Sequence, residues 1–165
     1  MMHVSTVLLS SVLAFFNFTP LTWTEVEAMI ARDFPNTPEI STGQLAELMA
    51  GQGEVVILDA REKEEFQASH IRGALYAPNL EAVQKLVPVR STKIVVYCSV
   101  GYRSARMVNR LREIGYTETV NLKGSIFKWA NEGRPVFQDT HPVMGVHPYN
   151  KKWGTLLRHD LWKYE

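Results

Sequence analysis

The chain's 165 residues are enough for one domain with a hydrophobic core. Hydrophobic residues make up 45% and charged residues 21%, as in an ordinary globular protein, and a formal net charge of +1 gives no bulk electrostatic case for a nucleic-acid partner. The one cysteine excludes an internal disulfide and a multi-cysteine zinc site; its thiol either fills core space or does chemistry.

Val4 to Phe18 is rich in apolar residues, among them Val7, Leu8, Leu9, Val12, Leu13, Phe15 and Phe16. Ser5, Thr6, Ser10, Ser11 and Asn17 interrupt it, and it is short of the ~20 residues that span a bilayer. No Lys or Arg precedes it, and Phe16-Asn17-Phe18-Thr19-Pro20 offers no clear small-residue cleavage site. The expectation is a helix packed on the domain or on a second copy of it, in a cytoplasmic protein. Export or membrane association through this segment is the alternative.

Thr24 with Glu27 reads as a capping box ahead of a helix from about Glu25 to Arg32, ended by Pro35 and Pro38. Ser41 with Gln44 is a second box; Leu45, Leu48 and Met49 supply that helix's apolar face, and Gly51 or Gly53 stops it. Val55-Val56-Ile57-Leu58 is a short continuous apolar run, the signature of a strand buried on both faces. Glu62 to Gln67 reads as one or two helical turns, Gly73 to Ala77 as a short strand, and Asn79 as the cap of a helix through Leu86. Ile94-Val95-Val96-Tyr97 repeats the buried-strand pattern and runs straight into Cys98. An amphipathic helix follows, with Ala105, Met107, Val108, Leu111 and Ile114 on it and Gly115 as its stop. Thr119 to Leu122 is a further strand; Gly124 and Ser125 open a helix carrying Ile126, Phe127 and Trp129, closed by Gly133-Arg134-Pro135. Strands alternating with helices predict an α/β three-layer sandwich, with a central parallel sheet of about five strands and helices on both faces. Gln138 to Glu165, rich in His, Pro, Trp and basic residues, has little assignable regular structure and reads as an extension wrapped over the domain or used in pairing.

In a parallel α/β sheet the active site lies at the carboxyl ends of the strands. Cys98 is at such an end, at the mouth of a helix. Unpaired N–H groups of the loop and first turn, together with the helix dipole, lower a thiol's pKa and favour the nucleophilic thiolate. The same geometry binds an anion. Gly101 lets the backbone curl, and Arg103 can aim a planar fork of donors at an anionic group. Sulfur or phosphoryl transfer through a cysteine fits these parts.

Cys98-Ser99-Val100-Gly101-Tyr102-Arg103-Ser104 resembles the active-site loop of the rhodanese family, a Cys-x-x-Gly-x-Arg-Ser pattern. Three more segments agree in order and spacing. Leu58-Asp59-Ala60-Arg61 with Glu64-Glu65-Phe66 resembles the family's Asp-x-Arg…Glu-Phe segment, and Ser69-His70-Ile71-Arg72-Gly73-Ala74 its His-Ile-x-Gly-Ala segment. Asn121-Leu122-Lys123-Gly124-Ser125 through Trp129, with Gly133-Arg134-Pro135, resembles its ending, although Ser125 stands where a second glycine is usual. The resemblance covers about Ile40 to Phe137. It divides the chain into an N-terminal apolar segment and helix (1–39), a rhodanese-like catalytic domain (40–137) and a C-terminal extension (138–165).

The resemblance implies that Cys98 takes sulfane sulfur from a donor such as thiosulfate and that a thiophilic acceptor removes it. The persulfide would lie in a cradle formed by Ser99, Val100, Gly101, Tyr102, Arg103 and Ser104, with Arg103 on the donor's anionic group. No metal or organic cofactor is needed. The partners it implies are a small anionic sulfur donor and a thiol or protein acceptor, with no nucleic acid; a homodimer could form through either terminal segment. Asp59 either braces the loop or caps Glu62, and Arg61 with Glu65, four apart, reads as an arginine–carboxylate pair. His70 reads as a hydrogen-bonded structural residue, Phe127 and Trp129 as core. His141, His147 and His159 are too scattered for a metal site. The rival readings are a non-catalytic interaction or regulatory module of the same family and, on the same kind of fold, a cysteine phosphatase or arsenate reductase. The latter usually place five residues between Cys and Arg, where this chain has four, Ser99 to Tyr102.

Overall fold

The structure is a computed structural model and describes residues 19–51 and 54–164. The apolar segment 4–18 and the candidate stop Gly53 lie outside the described residues. Helix α1 (Trp23–Asp33) precedes strand β1 (Glu39–Ile40), helix α2 (Thr42–Ala50), strand β2 (Val56–Asp59), helix α3 (Lys63–Ala68), strand β3 (Leu75–Tyr76) and helix α4 (Leu80–Leu86). Strand β4 (Ile94–Tyr97), helix α5 (Tyr102–Glu113), strand β5 (Thr119–Leu122) and helix α6 (Ser125–Asn131) complete the α/β unit. Among the described residues the main sheet has five strands in the order β1-β5-β4-β2-β3, every neighbouring pair parallel.

Alternation along the central strands explains the two-faced burial. Ile94 and Val96 of β4 point to one side with Leu58 of β2, where Val83 of α4 and Met107, Val108 and Leu111 of α5 cover them. Val95 and Tyr97 point to the other with Ile57, under Val26 and Ile30 of α1, Leu45 of α2, and Ile126, Phe127 and Trp129 of α6. Both faces of these strands are dry, which is why they read as unbroken apolar runs.

Helix α1 begins two residues earlier than its sequence suggests. Thr22 is the cap: its Oγ1 accepts from the Glu25 N–H at 3.3 Å, and the Glu25 carboxylate accepts from the Thr22 N–H at 2.8 Å. Thr22 and Thr24 each stand three residues before a glutamate. Starting at Thr22 places Trp23 in the first turn, against the core, and that burial selects between the two boxes. Ser41 and Asn79 cap α2 and α4, and Gly51 ends α2.

The larger difference is the C-terminal extension, which is folded. Strands β6 (Val136–Gln138) and β7 (His141–Val143) form an antiparallel hairpin, followed by the single-turn helix α7 (Lys151–Gly154) and a 3-10 turn at His159–Leu161. Val146, Leu156, Leu157 and Leu161 are buried in the same core as α1 and α6. The backbone is laced to itself and to the domain: Val146 N–H donates to Leu161 O at 2.7 Å, Ser69 Oγ to Gly145 O at 2.8 Å, and Asn131 Nδ2 to Leu156 O at 2.8 Å. Elements of three or four residues are too short to show periodicity, so burial of scattered apolar side chains organises this region.

No described helix is long and apolar enough to cross a membrane.

Candidate active site

Cys98 follows β4 directly and is almost fully buried, at 1% exposure. The chain then turns through Ser99 and Val100 to Gly101, which has φ +111° and caps α5. At that φ any side chain is strained, so the glycine is required by the turn itself. The turn aims two donors at the sulfur: the Gly101 N–H at 3.2 Å and the Ser104 hydroxyl at 3.5 Å. Burial pushes the Cys98 thiol up, but the Arg103 charge and the donors of Ser104 and Gly101 outweigh it, leaving the thiol below its ordinary pKa. A larger thiolate fraction near neutral pH is the consequence.

Helix α6 holds this loop from behind. The Cys98 N–H donates to Ser125 Oγ at 3.1 Å, and that hydroxyl donates to Leu122 O at 3.1 Å. The N–H groups of Ile126 and Phe127 donate to Cys98 O and Ser99 O at 3.2 and 3.0 Å. The loop carbonyls are thus turned toward α6. Ser125 has φ +51°, the backbone region that explains why glycine is usual there, and its hydroxyl braces the loop in a way glycine cannot.

Two buried ion pairs flank the loop, and both differ from the local pairing of Arg61 with Glu65. Arg61 instead clamps Asp59: its Nη2 lies 2.6 Å from Asp59 Oδ2, its Nε and backbone N–H reach Oδ1 at 2.9 and 3.0 Å, and both side chains are fully buried. Asp59 is nearer along the chain and has no solvent to fall back on, so it takes the guanidinium. Arg61 also donates to Ser69 O at 2.6 Å, tying the strand end to the turn after α3. Asp59 does not cap Glu62; the Glu62 N–H is satisfied by Glu65 at 3.0 Å.

Glu65, on α3, pairs with the segment that follows Cys98. Its carboxylate accepts from Arg103 Nη1 and Nη2, both at 2.9 Å, and from Ser99 Oγ at 2.7 Å. Burial pushes Glu65 up, yet Arg103 with the Arg61 charge and the Ser99 hydroxyl hold it below the usual carboxylate range. Arg103, read from sequence as a hand for the substrate's anion, is therefore turned to Glu65, because a buried carboxylate needs a partner. Its field still reaches Cys98.

Cys98 lines a cavity of about 130 Å³ together with Ser99, Val100, Tyr102, Arg103, Tyr149 and Trp153. Five sequence-predicted residues thus line it together; Gly101 and Ser104 instead donate to the sulfur, and Asp59 and Arg61 are not among the lining residues. A larger cleft of about 360 Å³ runs along Arg103, Arg106 and Arg110, but Cys98 does not line it. Tyr149 and Trp153 come from the extension, which the sequence reads only as wrapped over the domain or used in pairing. Glu65 was obscured by its spacing from Arg61. His70 is structural as expected: its ring stacks on Phe66 at 4.4 Å and its Nδ1 lies 3.2 Å from Phe66 O. Phe127 and Trp129 are buried in the core. Among the described residues no group of three His, Cys, Asp or Glu is placed to hold a metal ion.

The family model of the rhodanese-like domain matches residues 41–132, more than half of the chain. The chain belongs to the rhodanese-like domain family. It is 32% identical over 104 residues to a sulfurtransferase of Allochromatium vinosum, an alignment covering 59% of this chain and 92% of that one. It is 33% identical over 70 residues to the thiosulfate sulfurtransferase PspE of Escherichia coli, covering 41% and 67%. A rhodanese-related protein of Thermoplasma volcanium superposes with a TM-score of 0.54 at 30% identity, covering 62% of this chain and 99% of that one. A thiosulfate sulfurtransferase of Pseudomonas aeruginosa gives 0.61 at 24% identity, covering 72% and 23%, and shares the fold.

Proposed function

We propose that the protein is a rhodanese-type sulfurtransferase in which Cys98 carries the sulfur as a persulfide. The observation that supports it most is the sulfur's setting: one thiol at the end of β4, with the Gly101 N–H at 3.2 Å and the Ser104 hydroxyl at 3.5 Å. The sulfurtransferases among its relatives point the same way.

The Cys98 thiolate attacks the outer sulfur of a sulfane-sulfur donor, thiosulfate being the simplest. A Cys98–S–S bond forms, the donor's S–S bond breaks, and its electron pair leaves with sulfite. The persulfide is held by the same donors that favour the thiolate, so no separate general base is needed. A thiolate or cyanide then attacks the terminal sulfur and leaves Cys98 as thiolate, with no net oxidation.

Steady-state thiocyanate formation from thiosulfate and cyanide tests the cycle. The native chain should turn over and Cys98→Ser should not. Absence of turnover together with hydrolysis of a phosphate ester or reduction of arsenate would move the protein to the oxyanion-handling class.

A further inference from the structure

The extension reaches the pocket on a built platform. Asn150 caps α7 by accepting from the Trp153 N–H at 3.0 Å, and the Tyr149 N–H donates to His147 Nδ1 at 3.1 Å. Gly154 packs so tightly under the Trp162 ring that a Cβ would lie 2.8 Å from Cζ2. Trp162 Nε1 lies 3.2 Å from both Gly154 O and Leu157 O. This platform holds Trp153 against the core and turns Tyr149 back over the active site with φ +64°. Tyr149 is 44% exposed, so its own burial does not account for a left-handed tyrosine.

Charge in the pocket is already balanced. Arg103 is the only cation among the described residues lining it. Two of its nitrogens are on Glu65, one of them also on Ser99 Oγ, and the Tyr149 ring lies 4.9 Å from its guanidinium carbon. A dianion entering here meets no uncompensated positive side chain among the lining residues, and the Gly101 N–H is aimed at the Cys98 sulfur. An apolar group attached to the incoming sulfur meets Tyr102, Tyr149, Trp153 and Val100.

We propose that Tyr149 and Trp153 are specificity-determining residues of the site and that they favour an organic hydropersulfide, R–S–SH with an apolar R, over an inorganic dianion as sulfur donor. This rests on the sulfur-carrier role of Cys98. The Cys98 thiolate attacks the outer sulfur, the R–S–SH sulfur–sulfur bond breaks, and the pair leaves as R–S⁻; Cys98–S–SH keeps the proton. In the cavity of about 130 Å³ the departing R group lies against the aromatic wall.

The test uses the full chain and follows persulfide formation on Cys98 by intact mass, with benzyl hydropersulfide released in situ and with thiosulfate at equal concentration. The readout is the ratio of the two loading rates, which intrinsic donor reactivity scales equally in every variant. Tyr149→Asn keeps a residue that tolerates the left-handed backbone and removes the ring; it should lower the ratio about fivefold to tenfold, the worth of one aromatic contact. Tyr149→Phe should restore it. An unchanged ratio in a folded Tyr149→Asn overturns the inference and leaves the sulfurtransferase reading intact. Loading from neither donor overturns the sulfurtransferase reading itself. A second comparison needs no variant: the native chain should load from benzyl hydropersulfide faster than from glutathione persulfide, whose body is charged. Equal rates contradict an apolar, aromatic selector.

Discussion

The Cys98 pocket is walled by two regions built on different principles. The loop between β4 and α5 presents backbone N–H groups and small polar side chains, and its shape comes from Gly101 at φ +111° and from the bonds to Ser125 and α6. The C-terminal extension presents Tyr149 and Trp153, and its shape comes from buried Leu156, Leu157 and Leu161. The family match ends at residue 132, before the extension. The contrast separates two tasks. On the sulfurtransferase reading proposed above, the donors of the loop would hold the sulfur, while Tyr149 and Trp153, outside the family segment, join Val100 and Tyr102 in meeting what it arrives on.

Substitutions sharpen this contrast in order of expected size. On the loop side, Asp59→Asn leaves the fully buried Arg61 without its counter-charge and should destabilise the fold by about 3–5 kcal/mol, read as a lowered denaturation midpoint. On the extension side, Leu161→Ala removes a buried side chain and should cost about 2–4 kcal/mol in one cooperative transition shared with the domain. A separate early transition for the extension would break the comparison, by showing that it is an appendage rather than a wall.

Gly101→Ala should cost about 1–3 kcal/mol for its left-handed backbone and, more tellingly, slow Cys98 alkylation by moving an N–H off the sulfur. Ser104→Ala should have a smaller effect still: the rising limb of the pH–alkylation profile moves toward higher pH, because one donor that lowers the thiol is gone.

Acid stability sharpens the role of Glu65. Its folded pKa lies below the ordinary carboxylate value, since Arg103, the Arg61 charge and the Ser99 hydroxyl overcome the upward push of burial. The unfolded state therefore binds the proton more readily. The contribution of this pair is present above the ordinary glutamate pKa and is lost as pH falls through the folded value. Denaturation midpoints measured down into acid should fall more steeply for the native chain than for Glu65→Gln.

Much of the α/β unit was legible because its signals are local. The apolar runs of β2 and β4 place two central strands, and four ordered motifs place Cys98 at a strand end. What escaped was burial and the pairing it imposes. Arg61 and Glu65 stand at the spacing of a surface helix pair, yet both are buried, and each takes another partner: Asp59, two residues back, for one, and Arg103 of α5, across the fold, for the other. The extension's elements are shorter than the periods used to recognise them. Tyr149 enters the pocket through a single left-handed residue, which no sequence pattern marks in a tyrosine.

The most direct measurement is the intact mass of the reduced chain before and after a sulfane-sulfur donor, beside Cys98→Ser, with peptide mapping of the modified site. The account predicts a gain of one sulfur on Cys98, absent from the variant and removed by cyanide with release of thiocyanate. A chain that gains no sulfur from thiosulfate or from a hydropersulfide, while Cys98 still alkylates readily, would contradict it.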